Sequence, residues 1–211
     1  MTQKTYSTII FDFDGTIADS LHLMVDIYNK MAHRFHAHPI GATQVKHFRS
    51  LTPVQLIHEL RIPVIMIPEI LFIGKRIMKK RMNELKPIKG IEQVIEKLSK
   101  KYTLGILTSN NGENVEDFLN SHSIKNIAWI HSETSLFGKD KALQKRLKKD
   151  SLTKEEVLYV GDETRDVDSC KKIGIDVASV TWGLNSRVLL ETVHPTYLVD
   201  FPDELENLLL K

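Results

Sequence analysis

The chain has 211 residues, with 29 Lys plus Arg against 27 Asp plus Glu, a formal charge of +2 and 42% apolar residues. These proportions are those of ordinary soluble globular proteins, and they exclude a disordered tail, a collagen-like repeat and a disulfide-stapled miniprotein. A chain of this length buries roughly 70% of the surface its unfolded form exposes, which is enough for one large domain or two small ones.

In chain order, the first expected element is a strand over 8–13, rich in β-branched and aromatic residues and ended by Asp14-Gly15. The N-terminal stretch around it is too short in apolar residues and too acidic for a secretory signal. The longest apolar run, IPVIMIP at 62–68, is far below the ~20 residues of a membrane span. The single cysteine, Cys170, forms no intramolecular disulfide and suits a reducing compartment, so the expectation is a cytoplasmic protein without membrane attachment.

From Asp19 the rhythm changes. Leu21, Met24, Val25, Tyr28, Met31, Ala32 and Phe35 recur three and four residues apart, which is one face of a helix. Further helices are expected over 53–60 and 68–85. The latter carries Ile70, Ile73, Ile77, Met78 and Met82 on one face, with Lys75, Arg76, Lys79 and Lys80 opposite. No strand pattern occurs here, and five of the six methionines lie in it, so residues 17–86 read as a helical insertion. Between Ser20 and Lys86 stand 11 basic and 4 acidic residues, a balance of +7. That leaves 18 basic and 23 acidic residues, −5, on the rest.

After Pro87 and Gly90, helices over 91–100, 113–121, 140–149 and 164–173 alternate with strands over 103–108, 127–130, 157–160 and 176–180. The near-continuous apolar strands are those of a parallel sheet buried on both faces. The fold class expected is therefore α/β, a doubly wound, Rossmann-like parallel sheet made by residues 1–16 and 87–211.

Open parallel sheets bind ligands beyond the carboxyl ends of their strands. The first strand delivers Asp12, Asp14 and Thr16 there, the second Thr108, Ser109 and Asn110, and the fourth Asp162, Glu163 and Asp166. Lys139, in Phe137-Gly138-Lys139, precedes the helix that leads to the fourth strand. Each fragment alone is an ordinary turn or helix cap. Together they gather carboxylates that repel one another unless a cation lies between them, and Mg²⁺ with oxygen ligands is the simplest such cation.

The segments FDFDGTIADS (11–20), LTSN (107–110), FGK (137–139) and GDETRD (161–166), in this order, resemble the four motifs of the haloacid dehalogenase-like phosphohydrolases. The helical insertion resembles the C1 cap of that family, and the opening resembles its phosphoglycolate phosphatase-like branch. The resemblance implies a Mg²⁺-dependent phosphatase acting through a phosphoaspartate. Asp12 would be the nucleophile, Asp14 the general acid/base, and Lys139 the cation on the nucleophile and phosphate. Thr16 would position that loop, while Thr108, Ser109 and Asn110 would hold the phosphoryl oxygens. Asp12, Asp14 through its carbonyl, Asp162 and Asp166 would form the metal site. A carboxylate nucleophile is expected to be ionised at neutral pH without an activating base. The second acid, Asp14, favours hydrolysis of phosphate esters over dehalogenation.

Two departures leave alternatives open. Asp140 follows Lys139 where many relatives have Pro, with Lys141 close by, and Glu163 beside Asp162 is a second candidate for direct contact with metal. Arg49, in His47-Phe48-Arg49-Ser50, sits where caps of this type place a substrate-contacting loop. The expected partner is a small phosphorylated metabolite, phosphoglycolate being one candidate, with no nucleic acid and a monomeric or homodimeric protein. A sugar phosphomutase is the alternative activity. A non-catalytic binder of nucleic acid or protein, using the basic face of the insertion, is a third reading. Trp182-Gly183-Leu184-Asn185 borders the expected site without an assigned role.

Overall fold

Six short strands lie side by side in one parallel sheet of order β3-β2-β1-β4-β5-β6 in the computed structural model, which describes residues 5–133 and 138–210. They are β1 (Thr8–Phe11), β2 (Thr103–Thr108), β3 (Trp129–Ser132), β4 (Val157–Gly161), β5 (Asp176–Val180) and β6 (Tyr197–Val199). Every residue of β1 and β4 is buried, which is why these central strands carry unbroken apolar runs. Side chains alternate between the two faces. Ile9, Phe11, Leu104, Ile106, Leu158 and Val160 enter one cluster, and Ile10, Leu107, Val157, Tyr159 and Val177 the other.

Helices cover both faces, the rule for parallel sheets, so the expected doubly wound α/β architecture is the one observed. The strand order reverses between β1 and β4, the switch point where such sheets open a crevice. Phe11 stands opposite both Ile106 and Val160. Asp12, Thr108 and Asp162 therefore leave three adjacent strand ends within two residues of the same level.

Residues 21–84 hold α1 (Leu21–Ala32), α2 (Val45–Phe48), α3 (Pro53–Glu59) and α4 (Ile67–Lys80), with no strand among them. The sequence reading extends the first helix through Phe35 and the third through Leu85. In the structure α1 passes into a separate 3-10 turn over His33–Phe35, and α4 stops before Arg81. Helix α3 begins at the reciprocal cap of Thr52 and Gln55, with Pro53 in its first turn. Ile70, Ile73, Ile77 and Met78 of α4 pack on the same cluster that contains Leu23, Ile27 and Met31 of α1 and Phe13 and Phe118 beside the sheet. The insertion is thus joined to the main core by continuous apolar packing. Its two connections to the sheet run together, with the Asp19 N–H donating to the Lys86 carbonyl and the Ile88 N–H to the Ile17 carbonyl, both at 2.8 Å.

The alternating half contains α5 (Ile91–Leu98), α6 (Gly112–Ser121), α7 (Lys139–Lys149) and α8 (Thr164–Ile173) at the expected places. The third strand lies two residues later than its composition indicates, because pairing with β2 fixes it. Trp129 faces Gly105, where a Cβ would lie 2.1 Å from the indole ring. Beyond β5 the chain adds α9 (Arg187–Thr192), β6 and α10 (Pro202–Leu210), none of which the sequence reading assigns.

Candidate active site

Asp12 follows the last residue of β1, and its backbone N–H still donates to the Val160 carbonyl at 2.8 Å, so the carboxylate is fixed by the sheet. It is 5% exposed. Its Oδ1 accepts the Phe13 N–H at 2.7 Å and its Oδ2 accepts Lys139 Nζ at 2.6 Å. Lys139 opens α7 and donates also to Asp166 Oδ1 at 2.5 Å, from the first turn of α8. Lys141 is exposed, so of the two lysines it is Lys139 that enters the site. Phe137, the first residue of that motif, lies outside the described residues.

Asp162 is fully buried just past β4. Its Oδ1 accepts the Thr16 hydroxyl at 2.9 Å and its Oδ2 the Leu184 N–H at 2.6 Å. Oxygens of Asp12, Asp162 and Asp166 lie within 4.8 Å of one another. Glu163 turns instead to Arg165, at 2.5 Å. Asp14 is held from the other side, its Oδ2 accepting Asn110 Nδ2 at 3.2 Å, while its Oδ1 is buried and has no hydrogen-bond partner among the described residues. Thr108 is fully buried; its Oγ1 accepts the Asn110 N–H at 3.0 Å, which leaves the hydroxyl proton free to donate. Ser109 is half-buried at the same edge. Every residue expected at this strand edge is thus brought to it.

Arg49 is placed differently from the rest. It follows α2 and donates from Nη2 to the Thr181 carbonyl at 2.6 Å and from Nε to the Leu184 carbonyl at 3.4 Å. It reaches the loop beyond β5 rather than the carboxylates.

That loop supplies the residues to which sequence reasoning, which set them at the border of the site, assigned no role. The Trp182 indole donates to the Thr16 carbonyl, Leu184 and Asn185 donate backbone N–H groups to Asp162, and the Asn185 side chain accepts the Thr164 N–H at the start of α8. A Cβ on Gly183 would lie 2.2 Å from Asp162 Oδ2, and one on Gly15, at φ +75°, would lie 2.1 Å from the same atom. Two glycines therefore leave the space Asp162 fills. Gly15 also adopts a backbone conformation that side chains oppose. The only signal for the second glycine was the Trp-Gly-Leu-Asn string after a strand.

Electrostatically the site is overfilled with acid. Each ionised pair at 4.8 Å repels by roughly 3–4 kcal/mol at an effective dielectric near 20. Burial pushes Asp12 up to about 7, with Lys139 pulling it down and Asp166 pushing it up again. Burial likewise raises Asp14, with Asn110 opposing. Asp162 is raised well above the usual carboxylate range by burial and by Glu163 and Asp12. Burial works against the Lys139 ammonium, but Asp12 and Asp166 outweigh it and hold the lysine charged. With Lys139 as the cation beside it, burial thus opposes the ionised Asp12 expected at neutral pH, and a further cation at the site would favour it.

The all-oxygen donor set of Asp12, Asp162 and Asp166 and the deficit of positive charge suit a hard divalent cation such as Mg²⁺. A cavity of about 20 Å³, lined by Asp14, Gly15, Ser20, Leu21, Met24, Glu163 and Leu184, adjoins the acids and has room for one water.

The family model of haloacid dehalogenase-like hydrolases matches residues 9–180. A phosphoglycolate phosphatase of Synechococcus elongatus is 31% identical over 199 residues, covering 93% of this chain and 94% of the relative. The pyrophosphatase PpaX of Bacillus anthracis is 23% identical over 207 residues, covering 94% of each. The crystal structure of a predicted phosphatase from Clostridium acetobutylicum shares the fold, with a TM-score of 0.81 at 20% identity over 98% of this chain and 99% of that one.

Proposed function

Because the chain belongs to the haloacid dehalogenase-like hydrolase family, we propose that it is a Mg²⁺-dependent phosphatase that hydrolyses a small phosphorylated metabolite through a phosphoaspartate on Asp12. The observation that carries this reading is the Lys139 ammonium held between the buried carboxylates of Asp12 and Asp166 at the mouth of β1.

Asp12, anchored at Oδ1 by the Phe13 N–H, attacks phosphorus and forms the acyl phosphate. Asp14, whose proton affinity burial raises, gives its proton to the departing oxygen. It then takes a proton from a water, which attacks phosphorus and returns Asp12 as a free carboxylate. Thr108, Ser109 and Asn110 donate to the phosphoryl oxygens, with Lys139 opposing their charge. Thr16 and Asp166 act behind the site, the first holding Asp162 and the second holding Lys139. Asp12, Asp162 and the Asp14 carbonyl would hold Mg²⁺, with Asp166 behind them; bound there, the ion supplies further neutralisation of the phosphoryl group.

Residues 17–86 act as a cap on a core made of 1–16 and 87–211. The water-sized cavity beside Asp14 is too small for a phosphate ester, which agrees with a cap that parts from the core to admit one. Arg49 spends two of its five donors on carbonyls, which leaves Nη1 for a polar group of the substrate. Phosphoglycolate is the first candidate substrate, because the 31% identical relative is a phosphoglycolate phosphatase, and pyrophosphate is the second. The buried thiol of Cys170 agrees with a cytoplasmic setting, and the protein works as a monomer or homodimer. No helix among the described residues is long and apolar enough to cross a membrane.

Phosphate release from an aryl phosphate, phosphoglycolate and pyrophosphate, with Mg²⁺ present, tests the reading. Wild type should release phosphate and Asp12→Asn should not. An isomeric sugar phosphate as the product, in place of free phosphate, would indicate the phosphomutase alternative instead.

A further inference from the structure

The loop between β5 and α9 is gripped from two sides. From the sheet, the Leu184 N–H binds Asp162 Oδ2 at 2.6 Å, the Asn185 N–H binds the Asp162 carbonyl at 3.2 Å, and Gly183 lies against the Asp162 side chain. From the insertion, Arg49 binds the carbonyls of Thr181 and Leu184, the Arg49 carbonyl accepts the Ser186 N–H at 2.8 Å, and the hydroxyls of Ser50 and Ser186 meet at 2.8 Å. Four hydrogen bonds thus tie the end of α2 to residues 181–186, of which Gly183, Leu184 and Asn185 seat Asp162. Leu184 is in both sets, its N–H on Asp162 and its carbonyl on Arg49. A displacement of α2 therefore acts on the peptide that fixes an Asp162 oxygen.

We propose that Arg49, Ser50 and Ser186 are positioning residues for the cation site. They act through Leu184 on Asp162, so that affinity for a divalent cation depends on where the insertion sits. By linkage, a bound cation then favours the engaged insertion to the same degree. The proposal rests on the reading of Asp162 as a cation ligand.

Charge and position make opposite predictions at Arg49. Its guanidinium is close enough to Asp162 for the two charges to attract. Removing a positive charge tightens cation binding if electrostatics alone operates, and weakens it if Arg49 holds the loop. Ser50 and Ser186 offer a second handle, because their hydroxyls touch and the native Cys170 is fully buried and out of reach. A Ser50→Cys/Ser186→Cys pair can therefore staple the insertion to the loop.

Calorimetric titration with Mg²⁺ alone, without substrate, is the test. Arg49→Met is expected to raise the Kd about fivefold or more, and the oxidised staple to lower it relative to its own reduced form. Unchanged or tighter binding in Arg49→Met would overturn the proposal, as would a staple with the same Kd oxidised and reduced. Wild type that binds no Mg²⁺ would overturn the cation reading itself, and this proposal with it.

Discussion

Asp162 is the residue whose surroundings are most finely matched to it. Two backbone N–H groups, one hydroxyl and two Cβ-free positions converge on it. Gly183→Ala should consequently move or expel the carboxylate, since the new Cβ would stand 2.4 Å from Asp162 Cβ. Gly183 does not occupy the left-handed region, so the backbone tolerates alanine and the damage is local. We expect phosphate release to fall by more than tenfold, with a melting temperature within a few degrees of wild type. Loss of activity together with loss of folding would place the glycine in the core rather than at the site. The carboxylates, Thr108 and Lys139 were legible in the sequence because their chemistry is written in their side chains and their spacing follows strand ends. Leu184 was not legible, because it acts through its peptide N–H and carbonyl, which every non-proline residue carries. Arg49 was legible as a cation near the site, but its present partners, two carbonyls 132 and 135 residues away, lie beyond any local pattern.

The elements that the sequence announced best are those buried on both sides. β1 and β4 are buried throughout, and α5 places Ile91, Val94, Ile95 and Leu98 on one buried face. The insertion reads less sharply, since α2 has a single turn and α2, α3 and α4 contain no fully buried residue. Its helices are half-covered, so apolar residues fall on more than one face; Val64, Ile65 and Phe72 are 71%, 85% and 68% exposed. β6 was missed for another reason. Three residues give no period, and its pairing with β5, together with the Val177 N–H donating to Thr196 Oγ1, is set by tertiary contact. Such an edge strand forms because the sheet is already there to receive it.

At the scale of the whole molecule, the +2 of the chain conceals a basic insertion and an acidic remainder. The acids that matter most are those buried around Asp12. A group raised from the ordinary carboxylate range to about 7 holds its proton in the folded chain at pH values where the unfolded chain has released it. The stability this brings is complete below about pH 4 and is lost as the pH rises through 7. The protein stripped of divalent cations should therefore melt at progressively lower temperature from about pH 5 to about pH 8. Saturating Mg²⁺ should flatten that slope, because a cation takes over the role of the protons. A melting temperature that ignores both pH and Mg²⁺ would mean the acids are balanced in some other way. The account as a whole turns on Asp12 taking the phosphoryl group. The direct measurement is rapid acid quenching during turnover of phosphoglycolate or an aryl phosphate with Mg²⁺, followed by peptide mass spectrometry. The account predicts the mass of one phosphoryl group on Asp12 and on no other carboxylate; turnover with the group on a different residue, or on none, would contradict it.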